Sequence, residues 1–170
     1  MKHREMKGAY GIAFSAMMAA LSVIFLFLSA VLPAGRLVMY FLSSIFIAPL
    51  AYGQAPKYAV GCFLSAALIG FFLLPNKLGI VPYVLFFGHY GLGKYYIEKI
   101  TRKSLGFILK YLYFNICITL CYLLAKEVLL ADISAEISLW VIALAAQVVF
   151  LIFDFAYSLV LDIYYKRILK

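Results

Sequence analysis

Long apolar runs separated by short polar breaks make up this chain, and the breaks mark out its elements. The first run, Gly8–Leu32, stops at Pro33-Ala34-Gly35-Arg36, where Pro and Gly interrupt a helix and Arg marks an interface. The second, Leu37–Tyr52, closes at Gly53-Gln54-Ala55-Pro56-Lys57, and the third, Tyr58–Leu74, at Pro75-Asn76-Lys77. The fourth, Leu78–Ile97, precedes the most basic loop, Glu98–Ser104. The fifth, Leu105–Leu124, precedes the only acidic stretch, Lys126–Glu136, and the sixth runs from Ile137 to about Tyr165. A membrane-crossing helix needs roughly 20 residues. The pattern therefore predicts an all-α integral membrane protein, a compact bundle of six transmembrane helices with spans about 8–32, 37–52, 58–74, 78–97, 105–124 and 137–165. Residues 1–170 then form a single membrane domain. The second and third spans are near the short limit, and the sixth is long enough to tilt or to project from the bilayer. The first run exceeds the apolar region of a cleaved signal, typically about 7–15 residues, and reads as a retained helix.

Composition agrees: 67% of residues are hydrophobic and 13% charged, with a mean hydropathy of +1.04. Soluble domains are about 45–50% apolar and about 25% charged, so only lipid can cover this much apolar surface. The net charge of +8 does not imply nucleic acid, because the basic residues flank apolar runs, as topology-setting charge does. With six spans both termini share a side. Of the 15 Lys and Arg, only Arg36, Lys77 and Lys126 fall on the other side. The positive-inside rule then places both termini in the cytoplasm of a multi-pass cell-membrane protein. Tyr95-Tyr96, Tyr164-Tyr165 and Trp140 sit at span ends, as interfacial aromatics do.

Motifs of membrane enzymes are missing. There is no His-Glu-x-x-His pair, no Gly-x-Ser-x-Gly elbow and no phosphate-cradling loop ending in Gly-Lys-Ser or Gly-Lys-Thr. The only histidines are His3 and His89, too few for a multi-histidine metal centre. Cys62, Cys117 and Cys121 all lie inside apolar runs and read as small packing residues. No cofactor is implied, and the chain reads as non-enzymatic.

Two features stand out. Ala9, Ala13, Ala16 and Ala20 are spaced four, three and four apart and share one helix face. Such small-residue ridges let backbones approach closely in lipid, inside a bundle or against a partner protein. Polar side chains also occur at membrane depth: His89, Asn115, Gln147 and Asp154. For the first three, interhelical hydrogen bonds and a polar pocket are both open. Asp154 reads as a structural ion pair in preference to a proton relay, with Lys94 or Lys110 at matching depth to neutralise it.

The basic start, the alanine-rich opening from Ala9 to Ser22, the outer loop Leu32-Pro33-Ala34-Gly35-Arg36 and the segment Pro82–Tyr90 resemble the substrate-binding (S) components of bacterial energy-coupling factor transporters. The resemblance extends to length and topology. In that family an Ala-x-x-x-Ala pattern in the first helix docks onto the transmembrane coupling subunit, and Ala9/Ala13 and Ala16/Ala20 match it. It implies a membrane receptor that captures a vitamin-like micronutrient for uptake driven by partner ATPase subunits. No signature of a riboflavin, thiamine or biotin carrier is found. Capture from outside puts the pocket in the outer half of the bundle. Topology supplies Arg36, Asn76, Lys77, His89, Asn115, Thr119, Trp140 and Gln147 as its substrate-binding candidates. A pocket that is mainly apolar with a few orienting polar groups has this make-up. The competing expectation is a structural scaffold protein of the cell envelope. A membrane enzyme, with only Asp154 and His89 to offer at different depths, is the remaining alternative.

Overall fold

The computed structural model describes residues 8–32, 35–53, 56–100, 103–129 and 139–168, with side chains apart from 103–104, 125–129, 139–143, 165 and 167–168. The first basic cluster Lys2-His3-Arg4, the stretch 130–138 and the side chain of Trp140 lie outside the described residues. Among those described, every regular element is helical: α1 (Gly8–Val31), α2 (Arg36–Ile45), α3 (Ala48–Tyr52), α4 (Pro56–Leu73), a 3₁₀ turn (Lys77–Ile80), a π turn (Tyr83–Phe87), α5 (Gly88–Ile100), α6 (Lys103–Leu129) and α7 (Leu139–Ile168). Four segments are long and apolar enough to cross a membrane: Gly8–Val31, Pro56–Leu73, Leu105–Leu124 and Leu144–Tyr164. Their outer surfaces are apolar. Ile12, Leu68, Phe72, Ile108, Leu144 and Phe155 are all more than 60% exposed, which only a non-aqueous surrounding makes favourable.

Two expected spans are not continuous α-helices. The second breaks at Phe46-Ile47 into α2 and α3. Pro49 has no N–H for the carbonyl of Ile45, and its ring collides with that carbonyl. In the fourth, the α-helix begins only at Gly88, after the 3₁₀ and π turns, because Pro82 removes the N–H that would bond to Leu78. The polar break Glu98–Ser104, read as a loop, is also shorter than expected. Glu98 sits in the last turns of α5, and only two residues separate α5 from α6.

The chain falls into two compact units, Met1–Tyr113 and Phe114–Lys170, and α6 runs through the boundary. In the first unit α1 and α4 lie side by side and point the same way. Ser15 Oγ donates to the Tyr58 carbonyl (3.0 Å) near their starts, and a Cβ at Gly70 would lie 3.3 Å from Leu26 near their ends. The α2–α3 pair must therefore return the chain to the first end, and its 17 residues, Arg36–Tyr52, span about 25 Å at 1.5 Å per residue. Two bonds fix that return. Tyr40 Oη donates to the Gly79 carbonyl at the far end (2.5 Å), and Tyr52 Oη donates to Glu98 Oε2 at the near end (2.8 Å).

The buried face of α1 explains the packing. Ser15, Ser22 and Ser29, seven residues apart, all lie on it. Ser22 Oγ donates to the Ser43 carbonyl (2.9 Å) while Ser43 Oγ donates to the Ser22 carbonyl (3.0 Å), a reciprocal clasp between α1 and α2. Ser29 Oγ turns back to the Leu26 carbonyl (2.6 Å). Gly11 allows close approach, since a Cβ there would come within 2.7 Å of the Tyr58 ring. Leu26, Ile47, Leu50, Ala59, Ala66 and Leu74 fill the space between these helices with almost no exposure.

In the second unit α6 and α7 form an antiparallel pair. Phe114 stacks on Phe150 at 4.5 Å, and Asn115 meets Gln147. Phe150, Asp154, Tyr157 and Leu161, spaced four, three and four apart, make the buried stripe of α7.

Candidate functional site

The far end of the first unit holds three of the expected ligand residues. Arg36 is exposed in the first turn of α2, beyond Gly35, whose φ of 84° reverses the chain after α1. Asn76 Oδ1 accepts from the Leu78 N–H (3.0 Å) and so opens the 3₁₀ turn. Lys77 folds back over the end of α4. Its ammonium donates to the carbonyls of Phe71 (2.8 Å), Phe72 (3.1 Å) and Leu74 (3.0 Å), and it lies 5.6 Å from the Phe71 ring. The last carbonyls of a helix have no intrahelical partner, and a cation there also complements the helix dipole. Lys77 thus caps α4, and a ligand reaching its ammonium would compete with three carbonyls.

His89 lies two residues past the end of the π turn, half-buried in an aromatic nest. Its ring stacks on Phe63 (5.7 Å, 14° between planes) and packs against Tyr113 (5.6 Å). Nδ1 is 2.9 Å from the Phe86 carbonyl and 3.1 Å from Tyr113 Oη. A proton on Nδ1 serves the carbonyl, and Nε2 is then the basic nitrogen. Gly88 makes this closeness possible, because a Cβ there would fall 2.6 Å from Phe63. A π turn is a rare element found often at functional sites. Its sequence signal was Pro82 in front of the apolar run Tyr83-Val84-Leu85-Phe86-Phe87.

The second unit holds the other expected ligand residues. Gln147 Nε2 donates to Asn115 Oδ1 (2.8 Å), and Thr119 Oγ1 donates to the Asn115 carbonyl (2.8 Å). Asn115, Thr119 and Gln147 thus form one connected polar group. The buried Oε1 of Gln147 accepts no hydrogen bond among the described residues. Trp140 lies in the first turn of α7. Asp154 is 8% exposed, and its carbonyl accepts from Ser158 Oγ (2.8 Å).

One charged cluster was not anticipated. Glu98 pairs with Lys94 (3.2 Å) and with Lys110 (3.4 Å), and it also accepts from Tyr52. Lys94 is 1% exposed and Lys110 8%. The cluster ties α3, α5 and the start of α6 together at the near end of the first unit. The signal available in the sequence was the i, i+4 spacing of Lys94 and Glu98.

The ridge Ala9, Ala13, Ala16 and Ala20 is exposed along its whole length. Its face is turned away from the buried serine face of α1, so none of the four packs inside the described structure. Cys62, Cys117 and Cys121 form no disulfide, and no group of three metal-ligating side chains occurs among the described residues.

Helical elements with apolar outer faces and polar clusters inside define an all-α protein built for a lipid surrounding. No family model, no curated protein and no solved structure matches the chain.

Proposed function

We propose that this chain is a six-span substrate-binding subunit of an ATP-driven uptake system, similar to the S components of energy-coupling factor transporters. The carrying observation is the exposed alanine ridge. Four alanines on the outer face of the first helix bury no large side chain of their own, and they offer a shallow surface against which a partner helix can pack closely. The transmembrane coupling subunit is the partner in this reading, and separate ATPase subunits supply the energy, because the chain has no nucleotide-binding loop.

The six-span topology is supported by the parallel course of α1 and α4, which requires α2–α3 to cross back. Both termini are cytoplasmic in this reading, with Lys57, Lys94, Lys99 and Lys110 toward the inner end and Arg36 and Lys77 toward the outer. Substrate enters from the outer side. His89 is the candidate polar contact in the first unit and the Asn115–Thr119–Gln147 group the candidate in the second, where the Gln147 amide has hydrogen-bonding capacity to spare. Arg36 steers a ligand that carries an anionic or carbonyl group. Asn76 and Lys77 hold the outer rim of the first unit in shape.

The test is the small molecule that stays bound after purification in mild detergent, identified by mass spectrometry. A vitamin-like compound that Gln147→Ala and His89→Ala each release, with the helical content unchanged, is the expected result. Wild-type affinity in both variants for that compound would move the site elsewhere.

A further inference from the structure

Alongside the alanine ridge, and sharing Ala16 with it, α1 and α4 form an open groove of about 260 Å³. Its walls are Ile12, Ala16 and Ala19 from α1 and Tyr58, Gly61 and Ser65 from α4, with Lys57 at one end. We infer that this groove binds one anionic phospholipid, with the phosphate at Lys57 and an acyl chain lying along Gly61 and Ser65. This goes beyond the transport reading and requires only that α1 and α4 cross the bilayer.

The groove has the polarity of an amphiphile. Lys57 is exposed and makes no hydrogen bond or ion pair among the described residues. It occupies the second position of α4, where the first N–H groups have no intrahelical acceptor and the helix dipole is positive. A lysine there is unfavourable for the helix alone and favourable once an anion is bound. From Lys57 to Ser65 the groove follows α4 for about 12 Å at 1.5 Å per residue, close to the roughly 15 Å of one leaflet's hydrocarbon. Its walls are apolar or small, and the polar group between the helices is already used: Ser15 Oγ is bonded to the Tyr58 carbonyl. At Gly61 a Cβ would meet nothing within 4 Å, so the space is open to an occupant.

Native mass spectrometry of the full chain in mild detergent, titrated with phosphatidylglycerol or phosphatidylcholine, tests the assignment. The wild type should hold one phosphatidylglycerol in preference to phosphatidylcholine. Lys57→Gln should weaken phosphatidylglycerol by about fivefold, the factor that one lysine contributes at an anionic surface, and should leave phosphatidylcholine unchanged. Gly61→Leu should remove both lipids by filling the slot, and Ser65→Leu provides a second filling variant. Thermal unfolding near the wild-type temperature shows that a variant is folded. Equal retention of the two lipids by the wild type overturns the inference, as does wild-type retention in Lys57→Gln or in the folded filling variants. It is also overturned if the filling variants keep the lipid and lose a co-purifying membrane protein, which would assign the slot to that partner.

Discussion

At the scale of single residues, polar groups inside the apolar helices fasten one helix to another. The Ser22–Ser43 clasp is the clearest case, since each hydroxyl serves the other helix's carbonyl. Interhelical hydrogen bonds in membranes average about 0.6 kcal/mol, so Ser22→Ala should cost about that much. Ser22→Ala with Ser43→Ala should show coupling in a double-mutant cycle of steric-trap or denaturant unfolding. Strict additivity would mean that the two bonds are not one unit. Lys77 separates fastening from recognition. Lys77→Met keeps the aliphatic stem and removes three bonds to carbonyls, and should lower stability by about 1 kcal/mol. Ligand affinity that falls without any change in stability would give Lys77 a direct binding role. Glu98 is acceptor to two nearly buried lysines and a tyrosine. Because hydrogen bonds to charged groups are worth about 1.5–3 kcal/mol and Glu98 is partly exposed, Glu98→Gln should destabilise by about 1–2 kcal/mol. Thermal unfolding in detergent measures the loss.

At the scale of elements, α1 has two faces with different tasks. One carries Gly11, Ser15, Ser22 and Ser29 into the unit, and the other presents Ala9, Ala13, Ala16 and Ala20 outward. Ala13→Trp and Ala16→Trp should each prevent assembly with partner subunits and abolish transport, while ligand binding by the isolated chain stays at the wild-type level. Unfolding of both variants would instead mean that the ridge packs internally. Much of this level was legible in the sequence. α1 and α4 are uninterrupted apolar runs between Pro- and Gly-containing breaks, and their ends fall within one or two residues of expectation. What escaped has physical causes. Pro49 and Pro82 were visible, but hydropathy is insensitive to a missing N–H, so the breaks they cause inside apolar runs went unread. Glu98 ends an apolar run without ending a helix, because charge is compatible with helical backbone. It was therefore placed in a loop, and its i, i+4 partner Lys94 was missed. The serine heptad was hidden for a related reason: serine is neutral on most hydropathy scales, and its hydroxyl is satisfied by carbonyls that no sequence displays. For the ligand site, the sequence placed Asn115, Thr119 and Gln147 on adjacent spans, and they are joined by hydrogen bonds. It had no means of showing that Lys77 caps α4.

At the scale of the whole molecule, the proposed function makes the chain one part of a larger machine, a receptor driven by separate ATPase subunits, with the exposed face of its first helix as the docking face. The proposed topology, six spans with both termini inside, places residue 104 in the cytoplasm, so a membrane-impermeant thiol reagent applied to intact cells should not label Ser104→Cys, and labelling would reverse the orientation. The most direct measurement is affinity purification of the tagged chain from membranes in mild detergent, wild type beside Ala13→Trp, with the co-purifying proteins identified by mass spectrometry. The account predicts a second membrane protein together with ATPase subunits carrying a phosphate-binding loop, all present with the wild type and lost with Ala13→Trp. Recovery of wall-synthesis proteins in their place, or of the same ATPase complex with both chains, would contradict it.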